Sequence, residues 1–215
     1  MASLTAASGF PVGYPASVRI LPALLLLTAS PLGSTAASPQ PNPRVADLIR
    51  TLDMHVLPKE SGYLALIGSS AIMTPVHGKQ IAVQSQVYYM LTRDLPINYL
   101  HWLEPDDTHI LIEGGPVDYF IFHPDGKVEK KTLGRNLTAG ERPVVAVPGG
   151  CWKALRLHPG ASYALMANAL SPEFTPDRVH IGAGPRWIAR YTGAAPWATP
   201  EALRSFIGPN WLPDE

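Results

Sequence analysis

The residues with the clearest capacity for chemistry cluster between His101 and Lys153. Asp107 and His109 are separated by one residue, and side chains on a strand repeat every second position, so both project from one face. A histidine beside a carboxylate can act as a general base, the carboxylate orienting the ring and stabilising the imidazolium that forms. His101 lies a few residues upstream, and Lys153 adds a cation that apolar walls would depress in pKa or that could hold an anionic oxygen. Nucleophilic catalysis has no foothold, because the chain carries no G-x-S-x-G elbow and its single cysteine, Cys151, stands in no recognisable activating setting. Gly182 and Gly184 lack the strand-to-helix context of a phosphate-cradling loop. His55, His77, His123, His158 and His180 fall in turns or at element ends and receive no role.

The elements that must carry these residues are mostly strands. The chain has 215 residues, a formal net charge of +0, 23 prolines and 18 glycines. Zero net charge gives no electrostatic case for nucleic acid or an anionic membrane surface. Val45–Leu52 has apolar residues at 45, 48, 49 and 52, the spacing of one amphipathic helix. Extended segments are predicted at Gly62–Ile67, Ile81–Thr92, Ile97–Leu103, Thr108–Glu113, Val117–Phe122, Lys127–Thr132, Val144–Val147, Trp152–Leu157 and Tyr163–Leu170, with a hairpin turn at His123–Gly126. Short strands punctuated by turns imply an all-β antiparallel sandwich or barrel. The tail 183–215 is expected to pack on it as irregular segments, with a short helix near Pro200–Phe206.

The N-terminus predicts export. Arg19 precedes the apolar run Ile20–Ala29, and small residues follow through Ala37, the pattern of a secretory signal peptide over 1–37. The run is too short to span a bilayer, so no membrane association is expected after processing. The long stretch Met1–Val18 leaves a downstream start codon or a non-cleaved anchor as competing readings. Ser38–Arg44 is a Pro-rich spacer, and Asn136-Leu137-Thr138 is a glycosylation sequon at Asn136, consistent with secretion.

Blocks of the chain resemble the cupin-5 (DUF985) family. Glu60-Ser61-Gly62-Tyr63 is similar to its E-G-G-Y, Val87–Thr92 to its I-Y-F-L-L-T strand, and His101-Trp102-Leu103 with Asp106-Asp107 and Gly114 to its H-R-L, D-E and G. Asp125-Gly126-Lys127, Leu133-Gly134, Gly140–Pro143, Val147–Trp152 and Leu170–Phe174 match further blocks in order. The resemblance implies a cupin-type jelly-roll barrel over 45–182, often a homodimer, with a small-molecule pocket in its mouth. This chain departs from the family at Leu57-Pro58-Lys59, Ala65–Ser70, His109, Ile110 and Lys153.

Laid on the pattern of metal-binding cupins, His101 and Asp107 stand at two ligand positions, but Leu103 and Lys153 replace the two remaining histidines. A metal-free pocket without cofactor is therefore expected; the alternative is a His101/Asp107/His109 triad for iron, manganese or nickel. In the cupin layout His101, Asp107, His109 and Lys153 reach one cavity as catalytic candidates, with Glu60, Tyr63, Tyr88 and Trp152 as candidates for binding substrate. The leading expectation is an isomerase, cyclase or lyase of secondary metabolism, with His101 and Asp107 as its proton-transfer pair. A non-enzymatic secreted ligand-binding protein and a metal-dependent oxidoreductase are the alternatives.

Overall fold

The computed structural model describes residues 42–215. The signal-peptide reading and most of the Pro-rich spacer lie outside the described residues. Asn42 caps helix α1 (Pro43–Thr51), its side chain accepting from Arg44 N at 3.0 Å, with Pro43 opening the first turn. The strands follow as β1 (His55–Val56), β2 (Tyr63–Ser69), β3 (Met73–Val76), β4 (Lys79–Ala82), β5 (Ser85–Thr92), β6 (Ile97–Leu103) and β7 (Asp106–Gly114). Next come β8 (Val117–Phe122), β9 (Val128–Leu133), β10 (Val144–Val147), β11 (Trp152–Leu157), β12 (Tyr163–Ser171) and β13 (Val179–Ile181). Helices α2 (Pro185–Tyr191) and α3 (Pro200–Ile207) end the chain.

Two antiparallel sheets face one another. One runs β1-β2-β5-β12-β7-β10, the other β13-β6-β11-β8-β9, and β3-β4 forms a separate hairpin. Their facing sides bury Leu91, Leu111, Val117, Ile121, Leu155 and Met166 in one core. The fold is the all-β jelly roll expected.

Each sheet also has an apolar cover on its outer face. Helix α1 lays Leu48 against Ala65, Met90 and Leu165, with Tyr63 and Tyr88 alongside. Arg44 of the helix grips Glu113 of β7 through two hydrogen bonds of 2.8 and 2.7 Å. On the other side α2 and α3 pack Trp187, Tyr191, Leu203 and Phe206 onto Leu100, Phe120, Phe122 and Ala154. The rings of Phe122 and Trp187 lie 4.7 Å apart at 67°, a favourable edge arrangement.

Two sequence expectations need correction here. Ile81–Thr92 is not one strand: Val83 N and Ser70 N bond Ile72 O and Gln84 O, so the chain leaves the sheet to make the β3-β4 hairpin before β5 begins. The segment has no Gly, Pro, Asn or Asp to mark that break. The tail is also more regular than expected. Helix α3 occupies the predicted place, with Thr199 as its cap. Helix α2 escaped notice because it is short and has no side-chain cap, and what holds it is tertiary burial of Trp187 and Tyr191 at helical spacing. Trp187→Ala should lower stability by about 3–5 kcal/mol through the cavity it leaves, read as a shift in the urea unfolding midpoint with an unchanged slope.

Candidate functional site

The open end of the sandwich holds a cavity of about 420 Å³. Leu57, Leu64, Val87, Leu103, Leu170 and Phe174 make its apolar wall, and Glu60, Asn98, His101, Asp107, His109 and Asn168 its polar one.

His101 owes its direction to a fault in the strand pairing. On β11, Lys153 pairs with His101 and Leu155 with Asn98, so Ala154 alone faces both Tyr99 and Leu100. This is a β-bulge, one extra residue on one strand. Strict alternation from the inward Asn98 would turn His101 outward; the extra residue brings it inside, while Leu100 joins the outer core. The same stretch anchors the loop that carries Glu60. Tyr99 N and Asn98 Nδ2 donate to Glu60 O at 2.7 and 3.2 Å. Tyr89 Oη donates to Ser61 O at 2.7 Å. Gly62 sits at φ 78°, where a Cβ would overlap the Tyr89 hydroxyl.

The His101 ring is held by Tyr99 O, 2.8 Å from Nδ1. A carbonyl only accepts, so Nδ1 bears the hydrogen and Nε2 of the neutral ring is a free lone pair. Burial lowers the His101 pKa, outweighing the nearby Glu60 carboxylate, which acts in the opposite direction. Glu60 Oε2 lies 3.7 Å from that Nε2.

Asp107 and His109 project inward from β7, as their spacing predicts, and are 3% and 1% exposed. His109 Nε2 lies 2.7 Å from Asp107 Oδ2, and Lys153 Nζ, crossing from the opposite sheet, lies 2.6 Å from the same oxygen. Burial opposes ionisation of Asp107, but the His109 ring and the Lys153 ammonium outweigh it and hold the carboxyl well below its usual range. Lys153 is therefore a buried strut between the sheets, set behind the cavity wall. His109 packs its edge on Tyr119 at 5.1 Å. Asp107 Oδ1, His109 Nδ1 and Asn168 Oδ1 are buried with no hydrogen-bond partner.

These contacts rearrange the expected site. His101 takes Glu60 as its carboxylate neighbour, and Asp107 serves His109 and Lys153, so the proposed His101–Asp107 pair is not a hydrogen-bonded one. Tyr63 and Tyr88 do not line this cavity: they face outward beneath α1, and Tyr89 is the inward tyrosine. Trp152 faces the C-terminal helices instead. Both faces of each sheet are apolar, so alternation in the sequence did not reveal which aromatic points inward. Asn98 and Asn168 were missed, being polar residues in segments read only as strands.

Cys151 has a histidine against it that is distant in sequence. Its Sγ lies 3.4 Å from His123 Nδ1, whose Nε2 is 2.7 Å from Glu129 Oε1. Burial raises the Cys151 pKa and keeps the thiol protonated.

The donor set does not fit the alternative metal triad. Asp107 Oδ2 is already shared by His109 and an ammonium that repels a second cation, and among the described residues no three His, Cys, Asp or Glu side chains are disposed to hold a metal.

The profile of the Cupin_5 family, described as Cupin superfamily (DUF985), matches residues 46–181. The chain belongs to this cupin family. An uncharacterized protein of Saccharomyces cerevisiae is 29% identical over 136 residues, covering 58% of this chain and 67% of its own length. A Shewanella oneidensis protein of known crystal structure superposes with TM-score 0.61 at 24% identity, over 67% of this chain and 88% of its own. A hypothetical protein from Leishmania major gives 0.59 at 22%, over 63% and 85%. At this identity the last two speak for the cupin fold alone. Helices α2 and α3 lie beyond the residues matched to the family.

Removing only one partner of the buried strut leaves a charge without its counterpart. Lys153→Met should cost about 3–5 kcal/mol, and adding Asp107→Leu to it should recover most of that loss in chemical denaturation. Equal losses in the single and double variants would show that the ion pair is not what the interior responds to.

Proposed function

We propose that this cupin is a small-molecule enzyme of the isomerase, cyclase or lyase kind that works by proton transfer without a cofactor, with His101 as base and Glu60 as its charge partner. The observation that carries the reading is the tethered ring. Tyr99 O fixes the tautomer, so a neutral Nε2 lone pair stands 3.7 Å from a carboxylate on the polar wall of the cavity. A base in that setting takes a proton from a substrate carbon or oxygen. The imidazolium so formed is stabilised by Glu60, and the proton returns to a different atom of the same substrate. No electrons leave the substrate, and no co-reactant is consumed. Asp107, His109 and Lys153 act behind this pair, holding the polar wall in place.

The test is solvent exchange. In D2O, the wild-type protein should wash deuterium into the acidic C–H positions of some members of a panel of hydroxy-ketones and enolisable lactones, followed by proton NMR. His101→Gln should slow this by about 10²–10⁴-fold while unfolding at nearly the wild-type temperature. Exchange that survives in His101→Gln, or none anywhere in the panel, would sink the proposal. The rate should also stay flat from alkaline pH down through about 6.5, the ordinary histidine value. It should fall only below that, because the base is lost on protonation and burial lowers the His101 pKa.

We also propose that the protein is exported and glycosylated. Support comes from the N-terminal sequence pattern and from the exposed turn that holds Asn136. Expressed through a eukaryotic secretory pathway, the chain should show an endoglycosidase-sensitive mass that Asn136→Gln removes.

A further inference from the structure

The polar wall of the cavity is rich in acceptors that have no donors. Nε2 of the neutral His101 ring and Glu60 Oε2 confront one another at 3.7 Å, two lone-pair atoms with no hydrogen between them. Glu60 receives only the Asn98 amide, at 3.4 Å on the same oxygen, and no Lys or Arg lies at ion-pair distance from it among the described residues. Deeper in, Asp107 Oδ1 and Asn168 Oδ1 are buried without partners. Lys153, the one ammonium nearby, is engaged with Asp107. Glu173 adds a third carboxylate to the lining, which among the described residues contains no lysine or arginine.

Buried acceptors left unpaired are costly, and a ligand that supplies the donors recovers that cost. An anion brought to the same wall meets the Glu60, Asp107 and Glu173 carboxylates and finds no free cation. We infer that the cavity selects a ligand whose head group donates hydrogen bonds and bears no negative charge, a hydroxyl or an ammonium, on a compact apolar body, and that it rejects carboxylates and phosphates. The head group would sit between His101 Nε2 and Glu60 Oε2, with the apolar body along Leu64, Val87 and Leu103. This deepens the proton-transfer reading and rests on it, since the same gap that takes a donor is where the base meets its proton.

Three probes of matched length test the selection: 3-phenylpropan-1-ol, 3-phenylpropan-1-amine and 3-phenylpropanoate, titrated into the wild-type protein at neutral pH by ligand-observed NMR and calorimetry. The alcohol, the amine or both should bind at least about tenfold more tightly than the propanoate. A lead for the amine would point to an ammonium facing Glu60, and a lead for the alcohol to a neutral hydroxyl. Glu60→Gln should erase any advantage of the amine over the alcohol. Propanoate binding as tightly as the better protic probe would overturn the inference, as would failure of both protic probes to bind at about 10 mM, a limit far weaker than ordinary substrate affinities. The wild-type ranking needs no variant to fold. Because the probes offer no acidic C–H, this outcome is separable from catalysis. Lost deuterium exchange with the ranking intact removes the catalytic reading alone, and a reversed ranking removes the ligand class alone.

Discussion

One extra residue in β6 governs the geometry of this pocket. Because Tyr99 and Leu100 together oppose Ala154, Asn98 and His101 both face the interior. Tyr99 is left free to offer its carbonyl to the His101 ring and its amide to the Glu60 carbonyl. A single irregularity thus aims the imidazole, fixes its tautomer and secures the loop that brings the carboxylate. Bulges beside functional sites commonly re-aim a side chain in this way. Here the Glu60 loop is tied to the same residues, so base and carboxylate share one support.

Behind that pair lies a second arrangement with a different physical character. Lys153 and Asp107 are 2% and 3% exposed and come from opposite sheets. Each ion loses its hydration on burial, and their mutual attraction compensates only when the geometry is tight. The close contact to one carboxylate oxygen meets that condition, and His109 adds a further hydrogen bond. The ammonium provides the local positive charge that the carboxylate needs. This explains how a cupin can retain the acidic residue and His101 while Leu103 and Lys153 stand at the other ligand positions. Asp107 has its structural partner in the Lys153 ammonium.

The covers on the two sheets explain which parts of the pocket the sequence revealed. A sheet with one wet face shows clean alternation, but α1 and the C-terminal helices make both outer faces apolar. Tyr88 and Tyr89 therefore look equivalent in sequence, and only the register of β5 against β12 and β2 assigns Tyr89 to the interior. Trp152 is similar: its large ring suits a pocket or a helix interface, and the presence of Trp187 on α2 decides for the interface. His123 and Cys151 lie 28 residues apart, a separation from which no local pattern could pair them.

The amino-acid sequence by itself determined most strands of the two main sheets, the His123–Gly126 turn, the cupin family and the shared inward face of Asp107 and His109. Each is either local, depending on neighbours a few residues away, or carried by ordered blocks over most of the barrel. Tertiary structure alone decided that Glu60 rather than Asp107 stands by His101, that Lys153 crosses the interior, and which tyrosine meets the cavity. Those outcomes depend on how one strand slips against another and on what covers its far face, and a two-residue period carries neither.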